Sequence, residues 1–242
     1  MKTIALKAIK KSFSKLLYRN PVSGLAEDNL YAYLDALYKK RAVSGAILEV
    51  GCAAGGTAAI AYKFLERLGY SKEYICIDTF SGFIKEQFNI DKSLGVSNKL
   101  KNHFSANSKE LVQGNLTRWG VAKGIKLIEG DIIAINQEFI PPQISVCLLD
   151  VDLREPIFEG LKRILPNLAP KGIVLVDDCR SDTAWAGALH GYRYFVEKFG
   201  LEEKYFMGFG VIENNEALMD WNLLSNANPC KHPDQEKEII YD

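Results

Sequence analysis

The chain of 242 residues is short of several things, and each shortage closes off a class of protein. It has three histidines, scattered at His103, His190 and His232, so no imidazole-rich cage for zinc is expected. Its five cysteines, Cys52, Cys76, Cys147, Cys179 and Cys230, make no Cys-x-x-Cys pair. An odd count without a framework points away from a disulfide scaffold and toward a reducing, cytoplasmic setting. No apolar run approaches the roughly 18 residues of a membrane span. Residues 1–17 are basic, but their apolar runs are two or three residues long, so no signal-peptide core is expected. An excess of one charge is absent too. The 30 Lys and Arg balance 30 Asp and Glu, which argues against a broad nucleic-acid surface. Gly51, Gly55 and Gly56 do not make the G-x-G-x-x-G of a dinucleotide fingerprint. No repeat and no low-complexity tract is present.

What is there is globular material, 48% apolar and 25% charged, enough for one domain with a substantial core. Residues 1–44 read as helical with a break at Asn20-Pro21. Ile9, Phe13, Leu16 and Leu17 share one helical face; packing on the chain's own domain is expected ahead of lying on a membrane surface. A second helix, about 26–40, carries Leu30, Leu34, Leu37 and Tyr38 as its stripe. From residue 46, strand-like runs at 46–50, 74–77, 126–129, 144–149 and 173–176 alternate with helical patterns at 57–68, about 107–119, 155–168 and 184–199. Two last strands are expected at 205–212 and 217–224. Asn107 with Glu110 reads as a capping box, and Pro170-Lys171-Gly172 as the turn into the fifth strand. Residues 83–106 have no clear period; so long a stretch inside a domain is expected to be a lid. The organisation is then an N-terminal helical cap (1–45), a core (46–225) and a loose tail (226–242). The alternation implies a parallel sheet with helices on both faces and a ligand beyond the carboxyl ends of the strands.

The run Ile47-Leu48-Glu49-Val50-Gly51-Cys52-Ala53-Ala54-Gly55-Gly56-Thr57 is the end of a buried strand, a turn of small residues and the start of a helix. Small residues let a ligand lie against the backbone, and the helix start behind them offers unpaired N–H groups. The spacing of Glu49, Gly51, Ala53 and Gly55, acid-x-Gly-x-small-x-Gly, resembles the first motif of class I S-adenosylmethionine (SAM) methyltransferases. The alternative is a glycine-rich turn of some other α/β protein. The resemblance implies a Rossmann-like fold with a seven-stranded, mostly parallel sheet. It also implies SAM held around Glu49, Gly51, Ala53, Gly55 and Thr57.

Acids stand at the ends of the strands: Glu49, Asp78, Asp131, Asp150 and the pair Asp177-Asp178. In a parallel sheet they share one rim. Asp78, followed by Thr79, is placed to accept hydrogen bonds from a ribose. Asp131 is placed to reach an adenine amino group. A turn role is the alternative for each. Asp150, Asp177 and Asp178 repel one another unless a cation joins them. Oxygen ligands of this kind suit Mg²⁺. The alternative is one base among structural neighbours, with no metal.

The segment Leu149-Asp150-Val151-Asp152-Leu153-Arg154-Glu155-Pro156 and the segment Leu165-Pro166-Asn167-Leu168-Ala169-Pro170-Lys171-Gly172 carry a second resemblance. With Val176-Asp177-Asp178, Asp78-Thr79-Phe80-Ser81-Gly82 and Met219-Asp220-Trp221, they resemble the macrocin O-methyltransferase family over roughly residues 47–224. That resemblance implies a metal-dependent transfer of methyl from SAM to a hydroxyl of a small molecule, typically a natural-product sugar. It implies Asp150, Asp177 and Asp178 as metal ligands and Asp150 as general base. Cys52-Ala53-Ala54 and Arg154 depart from the family's pattern near the active rim, which puts the acceptor in question. His103, in the expected lid, is a further candidate base or substrate contact. The competing readings are a metal-independent class I methyltransferase and a SAM-binding module without turnover. A homo-oligomer is the common default for such enzymes.

Overall fold

The computed structural model describes residues 6, 9–10, 12–93, 95–181 and 184–215. Short, mostly apolar runs make β1 (Ala46–Val50), β2 (Tyr74–Asp78), β3 (Ile125–Glu129), β4 (Ile144–Leu149) and β5 (Leu168–Val176); β1, β2 and β4 are buried on both sides, while edge strand β3 exposes Lys126 and Glu129. With β6 (Tyr205–Phe206) and β7 (Phe209–Glu213) they form one seven-stranded sheet in the order β3-β2-β1-β4-β5-β7-β6. The first five strands are parallel, and β7 runs antiparallel to β5 and β6. Near-continuous hydrophobic strands require cover on both faces. One face is covered by α1 (Glu27–Lys39), α2 (Gly56–Arg67) and α4 (Lys109–Arg118), with Tyr33, Leu37, Ala58 and Leu116 among the buried side chains. The other is covered by α5 (Arg154–Ile164) and α6 (Ala186–Lys198) through Ile157, Leu161, Tyr192 and Phe195.

Register sets the functional rim. Val50 lies beside Ile77 and Leu149, and Leu149 beside Val176. The next residues, Gly51, Asp78, Asp150 and Asp177, therefore leave the sheet at one edge. The ladder continues past the strands: Gly51 N–H donates to Ile77 O (2.9 Å), Asp150 N–H to Val50 O (2.8 Å) and Asp177 N–H to Leu149 O (3.0 Å).

Several local expectations are corrected. Residues 83–106 contain a helix, α3 (Lys85–Ser93), and a 3₁₀ turn, Asn98–Asn102. Its period was illegible because α3 buries Gln87, Phe88 and Asp91, two of them polar. The cap of α4 is Ser108, whose Oγ accepts from Leu111 N–H (3.2 Å); Asn107 instead donates to Ala53 O (2.6 Å). The helix expected to reach 168 stops at Ile164, where Pro166 shifts the chain into a 3₁₀ turn, Leu165–Asn167. Pro170-Lys171-Gly172 lies within β5 as a bulge: Leu168 pairs with Ile144 but Ile173 already with Val146. The strand expected at 205–212 is a hairpin, β6 and β7, turned by Met207-Gly208. The strand expected at 217–224 and the tail from 226 lie outside the described residues. Ile9, Phe13, Leu16 and Leu17 do not pack on the domain as expected; Leu16 is 73% exposed. Tyr18 does anchor the segment, its carbonyl accepting from Trp119 Nε1 (3.1 Å). No described helix is long and apolar enough to cross a membrane.

α3 is held by an unusual cap. Leu153, before α5, has no side-chain cap of its own. The Asp91 carboxylate, fully buried, accepts from Arg154 N–H at 3.2 and 3.0 Å and so caps α5 from another helix. Gly187, at the start of α6, makes room for it: a Cβ there would sit 1.7 Å from Asp91 Oδ2 and 2.9 Å from Arg154 N. Gly187→Ala should therefore part α3, α5 and α6 and cost about 1–3 kcal/mol. Gly114→Ala is the control. Gly114 lies exposed in α4 with nothing within 4 Å of an added Cβ, so that change should stabilise by about 0.5–1 kcal/mol. Chemical unfolding of both variants checks the junction; equal behaviour would refute it.

Candidate active site

Strand order reverses between β1 and β4, where open α/β sheets hold their ligands. A cavity of about 590 Å³ opens there, within the size range of small-molecule sites. Gly51, Ala53, Asp78, Thr79 and Asp131 line its β1–β3 side. Asp150, Asp152, Asp177, Asp178 and Arg180 line its β4–β5 side. Leu25, just before α1, Asn29, in its first turn, and Phe83, Gln87, Phe104 and Trp185 close the remainder.

The glycine turn is built by crowding. Gly51 has φ +90, and a Cβ on it would lie 1.7 Å from Asp150 O, so no side chain fits. Ala53 is also left-handed, with φ 45, and its N–H donates to Asp78 Oδ2 (2.9 Å). Asp78 Oδ1 accepts from Phe80 N–H (2.7 Å). Asp78 thus does turn work and still faces the cavity with lone pairs to spare. Burial pushes its carboxyl up, against those hydrogen bonds. Thr79 Oγ1 donates to Gly82 O (2.7 Å), shaping the next turn. Asp131 accepts from Ile133 N–H (3.0 Å) and from Gln87 Nε2 (2.6 Å), which ties α3 to the end of β3.

Asp150, Asp177 and Asp178 each offer an oxygen, all within 4.8 Å of one another. Burial, then the neighbouring Asp177, Asp152 and Asp178, drive the Asp150 carboxyl far above the usual range. Burial and Asp178 push Asp177 up to about 6, against a hydrogen bond from Asn29. Asp152 joins the group: it is buried, hydrogen bonded to Asp178, and likewise pushed well up by burial and by Asp178. Asp152 (φ 63) and Asp178 (φ 55) both sit in the left-handed region, a strained backbone of the kind found at functional sites. Asn29 donates to Asp177 and accepts from Arg180 Nη2 (2.9 Å), which also pairs with Asp28.

The structure brings together Gly51, Ala53, Asp78, Thr79, Asp131, Asp150, Asp177 and Asp178, as the sequence placed them. Four other candidates lie outside the lining. Strand alternation turns Glu49 to the opposite face from Val50, where it is 1% exposed and accepts from Tyr74 Oη, itself hydrogen bonded to Tyr33 Oη (2.8 Å). Gly55, with φ 80, closes the turn through its N–H to Cys52 O (2.7 Å). Thr57 Oγ1 bonds Ser23 Oγ (2.9 Å) behind the turn. His103 is exposed and stands edge-on to Phe104, ring centroids 4.7 Å apart. Sequence reasoning missed Asn29, Gln87, Asp152, Phe83, Phe104 and Trp185. Only Asp152 carried a signal, its place in the Asp-x-Asp of 150–152.

A sheet of this order, with a glycine turn and strand-end acids on one cavity, defines a class I methyltransferase architecture. The macrocin O-methyltransferase (TylF) family model matches residues 27–202, and the chain belongs to that family. It is thus a SAM-dependent methyltransferase. The O-methyltransferase NovP superposes with a TM-score of 0.66 at 17% identity, covering 78% of this chain and 79% of NovP. CalS11, a calicheamicin methyltransferase, gives 0.58 at 20% identity, covering 85% and 91%. An apo structure of CalS11, described as a TDP-rhamnose 3'-O-methyltransferase, gives 0.52 at 21%, covering 85% and 93%. No curated protein matches the sequence.

The buried acids predict an inverted pH response. Burial raises Glu49 to about 8, against the Tyr74 hydrogen bond. In the unfolded chain such a group ionises near 4.3. Between these values the folded protein keeps a proton that the unfolded chain has lost. The stability contribution is therefore full below about 4.3 and is lost as pH rises toward 8. Glu49→Gln removes this loss and leaves Tyr74 an acceptor. Melting curves should show the variant gaining on the wild type as pH goes from 5 to 8. A constant difference would contradict the burial of Glu49.

Proposed function

We propose that the chain is a divalent-metal-dependent O-methyltransferase acting on a hydroxyl of a small molecule, a sugar or another natural-product moiety. The observation that carries the reading is the convergence of Asp150, Asp177 and Asp178 beside the cavity that the glycine turn opens onto. The donor set fits a hard cation: three carboxylates offer oxygen ligands, while burial and mutual repulsion raise the cost of leaving Asp150 and Asp177 ionised alone. CalS11, a TDP-rhamnose 3'-O-methyltransferase, and the macrocin that gives the family its name supply the expectation of a sugar hydroxyl.

In this reading Asp150, Asp177 and Asp178 hold the cation, with Asn29 fixing the rotamer of Asp177. A bound divalent cation would lower the pKa of an acceptor hydroxyl and fix its direction. SAM supplies an already activated methyl on its sulfonium. Asp78 receives the ribose hydroxyls, Asp131 and Gln87 meet the adenine end, and the backbone around Gly51 and Ala53 lies along the rest. Asp150 takes the hydroxyl proton. Residues 83–106 act as the lid, because Phe83, Ile84, Gln87 and Phe104 face the cavity.

The test follows transfer of labelled methyl from SAM to a panel of glycosides and catechols. EDTA should abolish transfer and Mg²⁺ restore it. Asp178→Asn should lower kcat by about a hundredfold or more, while S-adenosylhomocysteine affinity, read by calorimetry, stays within a few fold. Turnover that survives EDTA would replace this reading by a metal-independent transferase. Binding of S-adenosylhomocysteine without turnover of any acceptor would replace it by a binding module.

A further inference from the structure

One wall of the cavity is made of residues to which the function proposed above gives no role with SAM or the cation. Phe83, Phe104 and Trp185 line it, and all three are only partly buried. They come from distant places: the turn after β2, the chain after the 3₁₀ turn Asn98–Asn102, and the residue before α6. None belongs to the two large clusters that pack against the sheet. Phe88, their neighbour, is by contrast fully buried. Phe83 stacks on Phe88 (5.7 Å, 29°) and packs on the small cluster of Phe88, Val96 and Leu153, whereas Phe104 and Trp185 belong to none of the core clusters; the two rings present apolar surface to an open cavity, a costly arrangement unless a ligand covers it.

Their geometry is a concave corner. Trp185 and Phe104 lie 6.1 Å apart at 29°, Phe83 tilts against Trp185 at 5.3 Å and 54°, and Phe83 meets Phe104 edge-on at 5.5 Å and 78°. His103 backs the corner from outside, edge-on to both Phe104 and Trp185. Trp185 follows β5, seven residues after Asp178, and brings to the corner the side of the switch point that carries the acids, while Phe83 and Phe104 reach it from the segment between β2 and α4. Asp78 and Asp131 mark the other side. Asp91 fixes the arrangement, joining α3 to the start of α5 against Gly187, two residues beyond Trp185.

We propose that Trp185, Phe104 and Phe83 form the acceptor subsite, receiving the apolar face of a ring whose adjacent hydroxyls are turned toward Asp150, Asp177 and Asp178. This rests on the function proposed above and names the acceptor's class: an uncharged ring with one apolar face and neighbouring hydroxyls. A pyranose, through its C–H face, and a catechol, through its π face, share that chemistry. An acyclic polyol has the hydroxyls without the face.

The experiment uses the full chain loaded with S-adenosylhomocysteine and Mg²⁺. Methyl α-L-rhamnopyranoside, catechol and sorbitol are titrated in turn by calorimetry against wild type, Trp185→Ala and Trp185→Phe. One ring probe should bind, and which one identifies the source of the ring; sorbitol should bind at least tenfold more weakly. Trp185→Ala should weaken the ring probe about tenfold, Trp185→Phe much less, and S-adenosylhomocysteine affinity should stay within threefold in both. With SAM, the KM for that probe should rise about tenfold in Trp185→Ala while kcat changes less than threefold. Should Trp185→Ala fail to fold, Phe104→Leu carries the same readout. Equal binding of sorbitol, no binding of either ring, or an unchanged KM would overturn the subsite. A loss of S-adenosylhomocysteine affinity matching the loss of ring affinity would overturn it too, by giving the wall to the adenine. Failure of the unaltered protein to bind S-adenosylhomocysteine would instead strike the function itself.

Discussion

Asp150, Asp177 and Asp178 hold carboxylate oxygens within 4.8 Å of one another beside the cavity, Asp177 buried and the other two half-buried, and most of the local structure serves to keep them there. Parallel pairing of β4 with β5 brings the two strand ends level. The backbone is left-handed at Asp152 and at Asp178, and the chain turns there into Leu153 and Cys179, both buried in hydrophobic clusters. Asn29 reaches from α1 to Asp177 and is itself held by Arg180, so the segment before β1 is part of the site rather than an accessory to it. Like charges buried this close keep their protons or gain a counter-ion. Under the proposed function, the strain and the repulsion prepare a cation site.

The same crowding explains the glycine turn. Asp150 O occupies the place of a Gly51 side chain, so the turn proposed to face the cofactor and the acid proposed to face the acceptor are packed against each other. Ala53 binds Asp78 through its N–H and Asn107 through its carbonyl, linking β1, β2 and the approach to α4 in one short network. Cofactor side and acceptor side are two halves of a single rim.

How much of this was legible in the sequence depends on the kind of signal. Strands β1 to β5 announce themselves as short, mostly apolar runs bounded by turn residues, and the acids at their ends share one rim through that regularity. Glu49 was misplaced because its position one residue from Val50 fixes its face by strand alternation, which the motif spacing ignores. Thr57 and Gly55 belong to the turn's own hydrogen bonding, invisible until Ser23 and Cys52 are seen to be the partners. His103 had chemistry in its side chain but only sequence proximity to recommend it. Asn29, Gln87, Trp185 and the aromatic corner depend on segments that are distant in the chain, and no local pattern encodes a contact across 148 residues such as that of Asn29 with Asp177. The polar buried face of α3 hid its helix for a related reason: Asp91 and Gln87 are buried to serve α5 and Asp131, not a hydrophobic core.

The central claim is that the three acids form a cation site, and calorimetric titration with Mg²⁺ at pH 7 measures it most directly. With S-adenosylhomocysteine present, the wild type should bind one Mg²⁺ and release protons, seen as a dependence of the heat on the buffer's ionisation enthalpy. Asp177→Asn combined with Asp178→Asn should abolish both. Binding of Mg²⁺ unchanged by that double substitution, or no binding by the wild type at millimolar Mg²⁺, would contradict the account.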